Sequence, residues 1–172
     1  KEQADDVIAS CFAKYNNEPV IMEKYLAGPE FTVAILGNSP EMEVLPIIGM
    51  DFSQLPTGAQ PIYSYEAKWI WDRPEKPLNI FTCPAQIDDN LKNQIELLVR
   101  RTCRILNIRD WCRLDVRLDE NGVAHILEIN PLPGILPNPE DNSCFPKAAR
   151  TAGYTYPAML NQVVQVAARR YG

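Results

Sequence analysis

At 172 residues, 46% of them hydrophobic and 9% aromatic, the chain can bury one core of ordinary size and has the composition of a folded protein. A formal charge of −5 argues against nucleic acid or an anionic membrane as the main partner. No membrane-length apolar run and no signal-peptide pattern occurs. The five cysteines lack CxxC spacing and read as reduced thiols of a cytoplasmic protein, not as a zinc site or disulfide framework. With His125 the single histidine, histidine-based catalysis and His-rich metal binding have almost nothing to draw on.

The spacing predicts a first helix over Glu2 to Lys14, with Val7, Ile8, Cys11 and Phe12 on one face. Its abrupt start, with no capping residue ahead of it, suggests a piece of something longer. Pro19 to Leu26 reads as a strand, Gly28-Pro29 as a turn, Phe31 to Leu36 as a second strand, and Met42 to Ile48 as a third beyond Asn38-Ser39-Pro40. From Phe52 to Trp71 periodicity is lost, and the stretch reads as a binding lid or Ω-loop. Ile80 to Cys83 is a short strand. Asp88 caps a helix bearing Leu91, Ile95, Leu98, Thr102 and Ile105.

Trp111 to Leu118 and Val123 to Asn130 alternate as two arms of a hairpin, and Asn121-Gly122 between them suits a two-residue type I′ turn. That turn sets Asp115 opposite Glu128 and Arg113 opposite Asn130, with Leu114, Val116, Leu118, Leu127 and Ile129 on the other face. Like charges about 5 Å apart across a ladder repel unless a cation lies between them. The spacing therefore admits two readings: a divalent metal held by the acids, or a solvated hairpin whose acids pair with Arg113 and Arg117. Beyond it come a proline-rich loop over Pro131 to Asn142, a short helix capped by Ser143 and ended by Gly153, and a last helix from Pro157. Met159, Leu160, Val163, Val164 and Ala167 form the inner face of that helix. Strands then helices in this order predict an α+β fold, an antiparallel sheet covered by helices.

Arg113-x-Asp115, Leu127-Glu128-Ile129-Asn130-Pro131 and Pro133-Gly134 resemble the C-terminal catalytic segment of the D-alanine–D-alanine ligases, of the ATP-grasp superfamily. So do Glu23-Lys24-Tyr25-Leu26-x-Gly28-Pro29-Glu30-Phe31-Thr32-Val33, Tyr65-Glu66-Ala67-Lys68, Cys83-Pro84-Ala85 and Ser143-x-x-Pro146-x-Ala148-Ala149-Arg150-x-x-Gly153, in the family's order. The resemblance implies an ATP-dependent ligase that joins amino acids through an acylphosphate, in peptidoglycan precursor synthesis. Asp115, Glu128 and Asn130 would hold two Mg2+ ions (or Mn2+) bridging the ATP phosphates. Arg113 and the Gly134 N–H would stabilise the tetrahedral intermediate. Glu23, Lys24 and Leu26 would line the adenine site, Glu30 would bind the ribose, Lys68 would close over the cleft, and Ser143 would meet the second substrate's carboxylate. Without the resemblance, Glu23 and Glu30 read as exposed polar residues, Lys68 as a loop lysine and Ser143 as an N-cap. Cys144, with no histidine partner, reads as packed.

Trp69 stands where the family has a tyrosine, and an indole cannot accept a hydrogen bond as a phenol does. After Gly134, Ile135-Leu136 and a longer Pro137 to Asn142 connection also depart from the family, so the second substrate could be D-alanine, another amino acid or a hydroxy acid. The N-terminal substrate domain and the glycine-rich phosphate loop have no counterpart in residues 1–172, which read as one C-terminal ATP-grasp domain. Its partners would be the remaining domains of the ligase and, in the intact protein, a second copy in a homodimer. Turnover by this piece alone is not expected, because phosphoryl transfer needs groups from both sides of the cleft. The competing reading is a degenerate ATP-grasp module that binds nucleotide without catalysis. A metal-dependent hydrolase lacks an evident general base.

Overall fold

The computed structural model describes residues 2–73, 75–76 and 78–171, apart from the side chains of Glu2 and Gln3. Helix α1 (Glu2–Lys14) leads by an extended segment to β1 (Glu30–Leu36), then β2 (Glu43–Val44), β3 (Ile48–Met50) and β4 (Phe81–Thr82). Helix α2 (Asp89–Ile105), the hairpin β5 (Trp111–Leu118) and β6 (Ala124–Asn130), and helices α3 (Cys144–Thr151) and α4 (Tyr156–Tyr171) follow. The sheet runs β4-β3-β1-β5-β6 with β2 also on β1, and every pairing is antiparallel. This is the expected α+β fold.

Strand β1 is buried along its whole length because both faces of the sheet are covered. Phe31, Val33 and Ile35 meet Leu114 and Val116 of β5 and the α2 stripe Ile95, Val99 and Cys103. Ala34 and Leu36 face α3 and α4 through Phe145, Ala148 and Met159. Asp88 caps α2 as expected, its carboxylate accepting from Leu91 N–H at 2.8 Å. Ile105 lies beyond the core, 78% exposed. On α4, Met159 and Val166 are buried, while Val164 points outward. Gly153 terminates α3 at φ +93°, where a side chain would be strained. No described helix is long and apolar enough to cross a membrane.

Several expectations are corrected. Pro19 to Leu26 is no strand: β3 and β2 occupy one edge of β1 and β5 the other, so the neighbouring strand in sequence has no free edge to offer it. Val20, Ile21 and Met22 of that segment are exposed, as is Val7 of α1. The third strand is broken in two at Pro46, which has no N–H to donate. The stretch Phe52 to Trp71 is not structureless: it holds a 3₁₀ turn over Phe52–Gln54 and a π turn over Ala67–Trp71.

The hairpin turn is not type I′. Gly122 has φ +77° but Asn121 stays negative, and Asp119 pairs with Val123 and Gly122 around a three-residue connection. That shifts the register by one residue relative to a two-residue turn. A bulge between Asp115 and Val116 shifts it back, so Asp115 still faces Glu128 and Arg113 still faces Asn130. Leu127 is the extra residue. It is 46% exposed, and Ile126 takes its expected place against the core.

Replacing Leu114 with alanine should therefore lower the unfolding free energy by about 2–5 kcal/mol. Leu127→Ala should cost less than about 1 kcal/mol, both read from urea denaturation midpoints.

Candidate functional site

The β1–β5–β6 register builds a polar row on the sheet face opposite Leu114 and Val116. Thr32 lies across from Asp115, which lies across from Glu128; on either side, Glu30 pairs with Arg117 and Arg113 with Asn130. Thr32 Oγ1 donates to Asp115 Oδ1 at 2.5 Å. Arg113 grips Asp115 with Nε and Nη2 at 3.1 and 2.8 Å, and Nη2 reaches Glu128 Oε1 at 3.2 Å. Asn130 Nδ2 donates to the same Glu128 oxygen at 2.6 Å. Burial pushes Asp115 above the usual carboxylate range against the pull of Arg113. The hydrogen bond from Asn130 holds Glu128 below it. Opposite shifts are expected of neighbouring acids in unlike surroundings.

A cleft of about 310 Å³ opens over this row, and Glu30, Lys68, Arg113, Asp115 and Glu128 all line it. A hollow of about 350 Å³ between the Gly37–Glu41 turn and α4 contains none of them. Lys68 sits on the π turn beside the fully buried Ala67. Its ammonium lies 5.3 Å from the centre of the Trp69 ring, so the indole offers the lysine a π face where a phenol would offer a hydroxyl. Tyr63, also in the cleft wall, donates to Asp72 Oδ2 at 2.6 Å. Burial, and then that carboxylate, raise its hydroxyl well above the ordinary tyrosine range.

Arg117 does not pair with the acids of the hairpin. It is 3% exposed and donates to Glu30 Oε2 at 2.8 Å, to Pro61 O at 2.8 Å and to Tyr25 OH at 3.1 Å. The rings of Tyr25 and Phe52 flank its guanidinium. Its Nε is buried and has no partner among the described residues. Glu30, 7% exposed, is pushed up by burial and pulled back by Arg117, so it is not the exposed polar residue of the plainer reading.

The remaining predicted residues lie outside the cleft lining. Glu23 and Lys24 are exposed and Leu26 half-buried, and Lys24 pairs with Glu120 at 2.8 Å on the surface. Asn130 adjoins the cleft through Glu128. Gly134 is exposed, and a Cβ there would meet nothing within 4 Å. Ser143 is buried but does not cap α3 with its side chain. Its Oγ donates to Gly134 O at 3.0 Å and accepts from Leu136 N–H at 3.1 Å, bracing the proline-rich loop. Cys144 lines the cleft as a packed thiol, pushed up to about 12 by burial. Among the described residues no three His, Cys, Asp or Glu side chains converge as metal ligands; of the three acids lining the cleft, Asp115 and Glu128 face each other, while Glu30 is paired with Arg117. Thr32, Tyr63, Asp72 and Asn142 were not singled out by sequence. Only the pairing of distant segments reveals them.

Residues 1–165 match the family model described as D-ala D-ala ligase C-terminus. The chain belongs to this family. The D-alanine–D-alanine ligase of Mannheimia succiniciproducens is 30% identical over 153 residues, 89% of this chain and 44% of that protein. An uncharacterised protein of Sinorhizobium fredii, y4sG, is 34% identical over 98% of this chain and 46% of its own length. The chain thus spans less than half the length of these relatives. A Bacillus anthracis D-alanine–D-alanine ligase solved with ATP shares the fold at TM-score 0.69, with 20% identity over 96% of this chain and 47% of that one. A second structure of that ligase gives 0.70 and 22% over 98% and 49%.

Arg117→Met leaves Glu30 buried without its counter-charge and should cost about 3–5 kcal/mol at neutral pH. Adding Glu30→Gln should restore a large part of that loss in a double-mutant cycle followed by chemical denaturation.

Proposed function

We propose that the chain is the metal-holding, C-terminal part of an ATP- and Mg2+-dependent carboxylate–amine ligase of the D-alanine–D-alanine class. The observation that carries this reading is the pairing of Asp115 with Glu128 on the wall of a cleft that Arg113 and Lys68 also enter. The named ligase among its relatives and the ATP-bound ligase that shares its fold support it.

The donor set suits magnesium, which favours carboxylate and amide oxygens and completes its shell with phosphates and water. Two carboxylates and the Asn130 amide supply that set. Glu128 Oε2 and Asn130 Oδ1 take no hydrogen bond from the described residues, and Arg113 supplies positive charge to both acids. When bound, magnesium would neutralise and orient the nucleotide phosphates. Thr32 keeps Asp115 turned toward the cleft. Arg113, held at two points by Asp115, is preorganised to receive charge developing on an acyl oxygen, and the Gly134 N–H offers a second donor. Lys68 closes the cleft from above. Ser143 can donate to a substrate carboxylate only after its hydroxyl turns away from Gly134 O. In the reaction, a substrate carboxylate attacks the γ-phosphate and expels ADP; a second substrate's amine then displaces phosphate from the acylphosphate to form the dipeptide of a peptidoglycan precursor. The groups that cradle the triphosphate from its other side would come from the rest of the intact protein.

The intact protein given Mg-ATP and D-alanine should form ADP and dipeptide. Arg113→Ala should lower kcat about 10²- to 10³-fold, and Asp115→Ala or Glu128→Ala should abolish turnover. ADP formed with another amino or hydroxy acid, but not with D-alanine, would redirect the substrate assignment. No ADP with any such acid would reject the ligase reading in favour of a non-catalytic nucleotide-binding module.

A further inference from the structure

One carboxylate joins the segment that carries Lys68 to the segment that carries Ser143. Asp72 closes the π turn, its N–H donating to Ala67 O at 2.9 Å, four residues after Lys68. Its side chain accepts from Tyr63 OH at 2.6 Å and from Leu78 N–H at 2.9 Å. The third donor comes from the segment that enters α3: Asn142 Nδ2 lies 2.7 and 2.9 Å from the two Asp72 oxygens and 2.9 Å from Leu78 O. Asn142 directly precedes Ser143 and lines the cleft. It also ends the Pro137 to Asn142 connection, the stretch in which this chain departs from the family pattern. The amide has two hydrogens, both directed at partly buried acceptors, one of them charged, and such bonds are stronger than neutral ones.

We propose that Asn142 is a positioning residue: through Asp72 it latches the Lys68 loop to the segment entering α3, so that the cleft closes over both substrates in one movement. This rests on the ligase reading and adds to it a residue that acts through Asp72, its amide hydrogens being engaged by Asp72 and Leu78 O. In a cleft left ajar, water competes with the amine. A water oxygen bonds to the acyl carbon of the acylphosphate, the bond from that carbon to the bridging phosphate oxygen breaks, and the free acid and inorganic phosphate leave, with the water's protons passing to solvent. ATP is then consumed without a dipeptide.

The test measures phosphate released per dipeptide formed by the intact ligase, which is one when the two half-reactions are coupled. Asn142→Ala should raise that ratio severalfold and raise KM for the second substrate about tenfold or more, leaving KM for ATP within about twofold. Asn142→Asp, which sets a second carboxylate against Asp72, should uncouple more strongly. Asp72→Asn, which keeps the shape and removes the charge, should uncouple in the same sense and serves if the first variant folds poorly. Loss of fold alone lowers both products together and leaves their ratio at one. A folded Asn142→Ala enzyme that keeps one phosphate per dipeptide and an unchanged second KM overturns the latch while leaving the ligase reading intact. A wild-type enzyme that makes no ADP overturns both.

Discussion

The guanidinium of Arg113 lies between two carboxylates that would otherwise repel one another, and the polar face of the sheet is arranged around that contact. Asp115 is too buried to be readily charged by itself, and Glu128 faces it across the ladder. Arg113 meets both, Thr32 meets the first and Asn130 the second. Each of these five side chains comes from β1, β5 or β6, the most extensively paired strands of the sheet. Sites on regular elements hold their geometry more closely than sites on loops, and Lys68 is added to the cleft lining from an irregular segment.

The second buried ion pair, Glu30 with Arg117, performs a different task. It draws together β1, the segment around Tyr25 and the loop at Phe52 and Pro61. Removing one partner from such a pair leaves an uncompensated charge in a poorly polarisable medium. Loop and sheet are therefore coupled electrostatically through this pair, while Asp72 joins loop to loop through Tyr63 and Asn142. The long connection is ordered because its ends are fixed by charges and not by its own periodicity.

Much of the hairpin was legible in the sequence because alternation and a turn signal act locally: the facing of Asp115 and Glu128 follows from residues within one hairpin. The helices were legible for the same reason, Asp88 and Gly153 marking their ends. What failed depended on distant partners. Pro19 to Leu26 has strand-like composition, yet whether it pairs depends on which edges of β1 are free. Val99 and Cys103 form the centre of the α2 stripe where the sequence pattern points to Leu98 and Thr102, since both sets fit a helical period and the sheet beneath selects between them. Arg117 looked like a partner for its neighbours in the hairpin, but its counter-charge is on β1. Thr32 and Asn142 were silent because threonine and asparagine have no distinctive spacing, and their importance comes from what they face.

The hairpin's two irregularities oppose one another: the three-residue turn at Gly122 displaces β6 by one position, and the extra residue at Leu127 displaces it back. Length in this region is consequently constrained only as a sum. A lone insertion or deletion on either side of His125 would reverse the outward and inward halves of the strand beyond it, sending Glu128 into the oily interior and Ile129 into the opening. Paired changes, one at the tip and one beside Leu127, would pass unnoticed by the acids, so related chains can vary here in twos where they cannot vary in ones.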